Sequence, residues 1–145
     1  MFQRHSVQNE ALMLVTTNIA RKKPLFSNPV FARQAIETFY KVQQMSPFLL
    51  FGFVIMPDHC HFLLNVPAPL SISKIIKSYK IGVGYDTGLG AIWQSRFHLR
   101  FPDDAGKALE YIILNPVRAH LVESPEEFPW SSASGKWEIT PLDNW

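Results

Sequence analysis

Residues 48–66 read FLLFGFVIMPDHCHFLLNV, two aliphatic and aromatic runs broken once, by Pro57 and Asp58. Each run is of strand rather than helix length and is rich in branched and aromatic residues. Pro-Asp is a turn signal, so the stretch predicts two antiparallel neighbours joined by a tight connection. A chain built around such a hairpin is committed to a sheet with at least one buried face. In the second run His59 and His61 lie one residue apart. Alternation along a strand sends both imidazoles to one side and Cys60 to the other. Cys60 is then expected to be a small buried hydrophobe. Two imidazoles one pleat apart suit a metal ion, since neutral imidazole is the commonest nitrogen ligand. The competing reading is a histidine satisfied in the core beside an incidental one, and His-x-His alone does not decide between them.

The rest of the chain extends the hairpin into an α+β pattern. Residues 11–18 are strand-like and run into the polar RKKP. Residues 31–44 carry apolar side chains at helical spacing, with Asn28 as a cap and Pro29 in the first turn. A helix is expected over 71–81, after which Gly82, Gly84, Gly88 and Gly90 are expected to loosen the chain into a loop. Residues 91–101 alternate as a strand. Asp103-Asp104 can cap a helix reaching Leu114, where Pro116 disfavours continuation. Strands interrupted by three helices predict a ferredoxin-like antiparallel sheet with helices mainly on one face. Residues 1–145 are read as one domain, with 124–145 as irregular C-terminal cover pinned by Trp130. The chain's 145 residues suffice for one real core.

Charge and cysteine content narrow the function. The net charge is only +2, but residues 1–100 hold 11 Lys/Arg against 4 Asp/Glu, a net +7, while 101–145 hold 3 against 8, a net −5. The first part can face a polyanion. Arg21, Lys22, Lys23, Lys74, Lys77 and Lys80 are candidate phosphate contacts, as are Arg96, His98 and Arg100, which alternate on one strand face. Trp93 and Phe97 are weighed as base-stacking or core aromatics. The lone Cys60 excludes an internal disulfide and a multi-cysteine zinc cluster. No apolar run approaches the ~20 residues of a membrane helix, so a cytoplasmic, nucleoid-associated location without membrane contact is expected.

The partner for the histidines is sought in ALEYIILNPVRAH, residues 108–120. On a helix, Ala105, Ala108, Leu109 and Ile112 form an apolar stripe, and Lys107, Tyr111 and Asn115 follow one another along its margin. If the stripe docks on the sheet, Tyr111 and Asn115 reach the imidazoles. Two nitrogens and one amide oxygen, with positions left open, suit Mg²⁺ or Mn²⁺ on a phosphodiester better than a closed zinc site. Tyr111 is then the candidate nucleophile. The alternatives, a half-buried aromatic and a helix-end asparagine, remain open on spacing alone.

VIMPDHCHFLL, IWQSRFH, YIILNPVRAHLV and FPWSS, in this order, resemble the single-tyrosine HUH transposases, and among them the REP-associated tyrosine transposases. The resemblance runs from about residue 12 to 132. It implies a ferredoxin-like domain that cuts and rejoins single-stranded DNA next to a hairpin. It further implies that His59 and His61 ligate a divalent cation, Mg²⁺ or Mn²⁺, that Asn115 is the polar third ligand, and that Tyr111 forms a 5′-phosphotyrosine link with release of a 3′-hydroxyl. The alternatives carried alongside are a non-catalytic hairpin-binding protein or repressor, and a metal hydrolase of small phosphoesters. Monomer and homodimer both remain open, and with them whether Tyr111 serves its own subunit's histidines.

Overall fold

In the computed structural model, which describes residues 11–144, four strands form one antiparallel sheet. They are β1 (Met13–Ile19), β2 (Leu49–Met56), β3 (His59–Asn65) and β4 (Trp93–Arg100), in the spatial order β2-β3-β1-β4. Helix α1 (Pro29–Met45) leads from β1 to β2, and α2 (Ile72–Thr87) from β3 to β4. The chain is therefore the split β-α-β arrangement expected from its order of elements. Asn28 caps α1 by accepting from Val30 N at 2.9 Å, with Pro29 in the first turn as expected.

Alternation divides the sheet into two chemically different faces. Met13, Val15, Ile19, Phe53, Ile55, Cys60, Phe62 and Leu64 point to the face covered by α1 and α2 and form the larger core. Phe39 of α1 is its centre: its ring stacks on Phe62 at 3.9 Å and meets Tyr79 of α2 edge-on at 5.1 Å. Removing a ring packed on all sides costs both its transfer energy and a cavity. Phe39→Ala is expected to lower unfolding stability by about 3–5 kcal/mol, read as a fall in urea midpoint at constant slope.

The third helix, α3 (Ala105–Ile113), lies on the opposite face. Asp104 caps it, accepting from Lys107 N at 3.0 Å. The stripe of Ala105, Ala108, Leu109 and Ile112 docks on Leu14, Phe51, Val54, Met56 and Leu63. The approach is close because β2 bulges at Leu50/Gly52: a Cβ on Gly52 would stand 2.4 Å from the Leu109 side chain. So the two long helices share one face, and the short one occupies the face that carries His59 and His61.

Two boundaries differ from expectation. Helix α2 does not end near Ile81 but continues to Thr87, and Gly82 and Gly84 lie inside it. Both mark close contacts: a Cβ on Gly82 would sit 2.8 Å from the Thr38 methyl of α1, and one on Gly84 only 2.3 Å from the Gly90 carbonyl oxygen. After α3, Pro116 starts a further turn, α4 (Asn115–Arg118), since a proline in a first turn forfeits no needed N–H.

The tail is a clasp on the β2 edge. Ile55 N donates to Trp130 O and Thr140 N to Leu50 O, each at 2.8 Å, and Val54 bridges Ser131. The Arg33 guanidinium of α1 lies 5.8 Å from the Trp130 ring and 5.7 Å from that of Trp137. An edge so covered offers fewer free backbone groups for strand addition. Among the described residues no helix is long and apolar enough to cross a membrane.

Candidate active site

Strand register assembles the site. Thr16 at the middle of β1 is flanked by His61 on β3 and His98 on β4, and Asn18 faces His59. These side chains floor a cavity of about 550 Å³, walled by Lys22, Gln94 and Arg100 and by Tyr111 and Asn115 from the overlying helices. The two imidazole rings are 4.8 Å apart, and the Tyr111 ring stands 5.5 Å from that of His61. These rings all belong to one chain.

Each imidazole is held through Nδ1. His59 Nδ1 pairs with the Asp58 carboxylate at 2.6 Å, and His61 Nδ1 with the Thr16 hydroxyl at 2.8 Å. In the tautomer that donates Nδ1–H to these oxygens, both Nε2 atoms are free to act as lone-pair donors, the arrangement by which outer groups orient metal-binding histidines. His61 is 5 % exposed. Burial, and secondarily the neighbouring His59, hold its pKa down at about 3, so it is a neutral imidazole under working conditions. Among the described residues no third His, Cys, Asp or Glu joins the pair in a metal-sized cluster. Asn115 lines the same cavity, as do Asn18, Gln94 and His98.

Tyr111 is 45 % exposed although half of its helix is docked. Arg118 of α4 fixes it: Nη1 donates to the Tyr111 carbonyl at 3.0 Å, and the guanidinium lies 5.2 Å from the ring centroid. A cation over an aromatic face is favourable by about 0.5–1 kcal/mol at an exposed site. Of the other tyrosines weighed, Tyr79 is wholly buried under the opposite face and Tyr85 is exposed on α2, away from the histidines.

The expected phosphate contacts divide into groups. Lys22, His98 and Arg100 line the cavity. Arg96 is exposed on the same face of β4, by alternation with His98 and Arg100. Lys74 and Lys77 are exposed on α2, and Arg21 and Lys23 line a separate hollow with Leu25 and Leu89. Lys80 Nζ donates to the Gln94 and Arg96 carbonyls at 2.9 and 3.2 Å, tying the outer edge of β4 to α2. Trp93 and Phe97 pack against the larger core, the core alternative of the two weighed. Thr16, Asp58 and Arg118 are the residues that reasoning from sequence missed. Asp58 was readable as the neighbour of His59 in the turn, whereas Thr16 needed strand register and Arg118 needed the α3–α4 turn.

Cys60 points away from the site and is wholly buried beside Thr17 and Tyr79, and burial pushes its thiol up to about 12. The thiolate, not the thiol, is the reactive form. The native protein is therefore expected to resist a thiol reagent at pH 8 for as long as denatured protein is fully labelled, as measured by intact mass.

Residues 6–85, more than half of the chain, match a family described as Transposase IS200 like. The chain belongs to the IS200-like transposase family. The REP-associated tyrosine transposase of Escherichia coli (strain K12) is 29 % identical over 96 residues, 63 % of this chain and 58 % of that protein. The chain thus spans a little over half the length of that curated relative. The solved structure of a REP-associated tyrosine transposase bound to a REP hairpin superimposes with a TM-score of 0.76 and 22 % identity, over 93 % of this chain and 90 % of the other. That likeness shows a shared fold. The match ends at Thr87 less two residues, so Tyr111 and Asn115 lie beyond it and rest on the geometry above.

Proposed function

We propose that the protein cleaves and rejoins single-stranded DNA beside a hairpin, with Tyr111 as nucleophile. The observation that carries this reading is the convergence, in one cavity, of two Nδ1-anchored imidazoles and an exposed phenol from the opposing helix. Membership of a transposase family and the hairpin-bound state of the structural relative support the substrate class.

The chain's own groups account for most of what the reaction needs. Lys22 and Arg100 give the cavity a positive lining, and among the described residues that line it none is acidic. A phosphodiester is therefore drawn in and oriented. His59, His61 and Asn115 would hold a divalent cation, Mg²⁺ or Mn²⁺, which when bound supplies Lewis-acid polarisation of the phosphoryl oxygens. Arg118 restricts the Tyr111 ring, so that its oxygen approaches phosphorus along a limited set of directions. The Tyr111 oxygen forms a bond to phosphorus, the bond to the 3′-oxygen breaks, and the phenol proton is balanced by protonation of the departing 3′-hydroxyl. The ester energy stays in the 5′-phosphotyrosine, and attack by a 3′-hydroxyl reverses the step without ATP.

The test is incubation with a hairpin-bearing oligonucleotide labelled on the 3′ side of the cleavage site, with Mn²⁺, followed by a denaturing gel. Label migrating with the protein supports the proposal. Binding of the hairpin with neither adduct nor cleavage, over a panel of hairpins and metals, would assign the protein to hairpin binding instead. Cleavage without an adduct would assign it to water-dependent hydrolysis.

A further inference from the structure

Two hollows flank the catalytic cavity, and their chemistry differs. One, beside Tyr111, is lined by Phe101, Asp103, Asp104, Arg100 and Lys107, so that two carboxylates offset the two cations there. The other, about 630 Å³, lies between the C-terminal half of α2 and the start of β4. It is lined by Tyr85, Trp93, Ile81 and Lys80, with Gln94 and Ser95 on its rim, and Gln94 also lines the catalytic cavity. The only acid adjoining it in sequence, Asp86, is occupied: it accepts from the Thr38 hydroxyl at 2.5 Å and pairs with Lys41 at 3.4 Å.

The second hollow is also preformed. Gly88 ends α2 in the left-handed conformation, Gly90 N donates back to Gly84 O at 3.1 Å, and Lys80 holds the β4 edge. Trp93 is fixed from behind by Phe26 and Tyr79, each with ring centroids 5.8 Å away. Tyr85, in contrast, is 86 % exposed on α2, and among the described residues it joins neither hydrophobic core. Two aromatic rings in one apolar hollow, with amide and hydroxyl groups at the rim and Lys77 on the same helix, match the construction of single-strand stacking sites.

We infer that the groove between α2 and β4 is a stacking subsite for an unpaired nucleobase, on Tyr85, of the strand whose phosphate enters the catalytic cavity. The inference rests on the proposed action on single-stranded DNA and adds to it a direction: the unpaired strand leaves the cavity past Gln94 toward Tyr85, not past Asp103 and Asp104. Because a base stacks through its face, the subsite tolerates different bases, and Gln94 and Ser95 are placed to bias the choice through base edges.

The experiment measures binding by fluorescence anisotropy, using a hairpin with a single-stranded flank and a series in which each flank position in turn is abasic. Expected is a roughly 5- to 150-fold weakening on Tyr85→Ala, the range for loss of one stacked base, with Tyr85→Phe close to wild type. One abasic position should weaken wild type by a similar factor and make it insensitive to Tyr85→Ala. Wild-type affinity in Tyr85→Ala, with the Tyr111 adduct still forming, would overturn the subsite and leave the catalytic reading standing. Equal weakening by Tyr85→Ala on a hairpin without a flank would also overturn it, assigning the groove to the duplex. Failure of wild type to bind any flanked hairpin would overturn both readings.

Discussion

Tyr111→Phe is expected to abolish strand cleavage and every covalent protein–DNA species, while hairpin affinity stays within about twofold of wild type. The substitution removes one oxygen. It keeps the ring that stands 5.5 Å from His61 and lies under the Arg118 guanidinium. Exposed substitutions that disturb no packing usually change free energies by less than about 0.5 kcal/mol, which is why binding should survive. Cleavage should not, because among the described residues no other tyrosine lines the cavity: Tyr79 is buried on the other side of the sheet, and Tyr85 lines a different hollow. The Tyr111 oxygen is expected to attack a phosphoryl group that a divalent cation held by the histidines would polarise. A single-turnover cleavage assay beside an equilibrium binding assay checks both halves of the expectation.

The second large effect concerns the histidines. The His59→Ala, His61→Ala double variant is expected to lose at least about a thousandfold in cleavage rate, since Lewis-acid stabilisation of a transferring phosphoryl group amounts to several kcal/mol and 1.36 kcal/mol is tenfold. EDTA should reproduce that loss in wild type while leaving hairpin binding in place. The metal effect has its own readout. At a hundredfold excess over its dissociation constant, Mn²⁺ should stabilise the wild type by about 2.7 kcal/mol, seen as a rise in Tm, and the double variant should show no rise. Asp58→Asn keeps the shape of the turn but weakens the acceptor for His59 Nδ1–H, and is expected to lower metal affinity by about 10- to 100-fold. A normal Mn²⁺-dependent rise in the double variant would move the metal site elsewhere.

How much was legible in the sequence depended on whether the signal was local. The hairpin around Pro57-Asp58 was, because two apolar runs and a turn leave few alternatives, and the facing of His59 and His61 followed from alternation alone. The Asn28 cap and the docking stripe of α3 were likewise written in short spacings. The helical glycines misled: in a single chain Gly82 and Gly84 look like loop residues, and only the packing of α2 on Thr38 and Gly90 explains why small residues stand inside a helix. The same limit applied at the site. Thr16 became an anchor for His61 through strand register across 45 residues, and Lys80 was drawn to two backbone carbonyls of β4. Long-range pairing made those assignments, and no local pattern encodes it.

The central claim is that the phosphate is transferred to Tyr111, and mass spectrometry of the trapped adduct tests it most directly. Trypsin cutting after Lys107 and Arg118 releases residues 108–118, ALEYIILNPVR, which contain one tyrosine, while Tyr85 falls in a different fragment, 81–96. After reaction with a hairpin-bearing strand and Mn²⁺, and nuclease trimming of the DNA, the account predicts a phosphate-linked nucleotide on Tyr111 in the 108–118 peptide. A nucleotide on any other residue, or cleaved DNA carrying a free 5′-phosphate with every peptide unmodified, would contradict it.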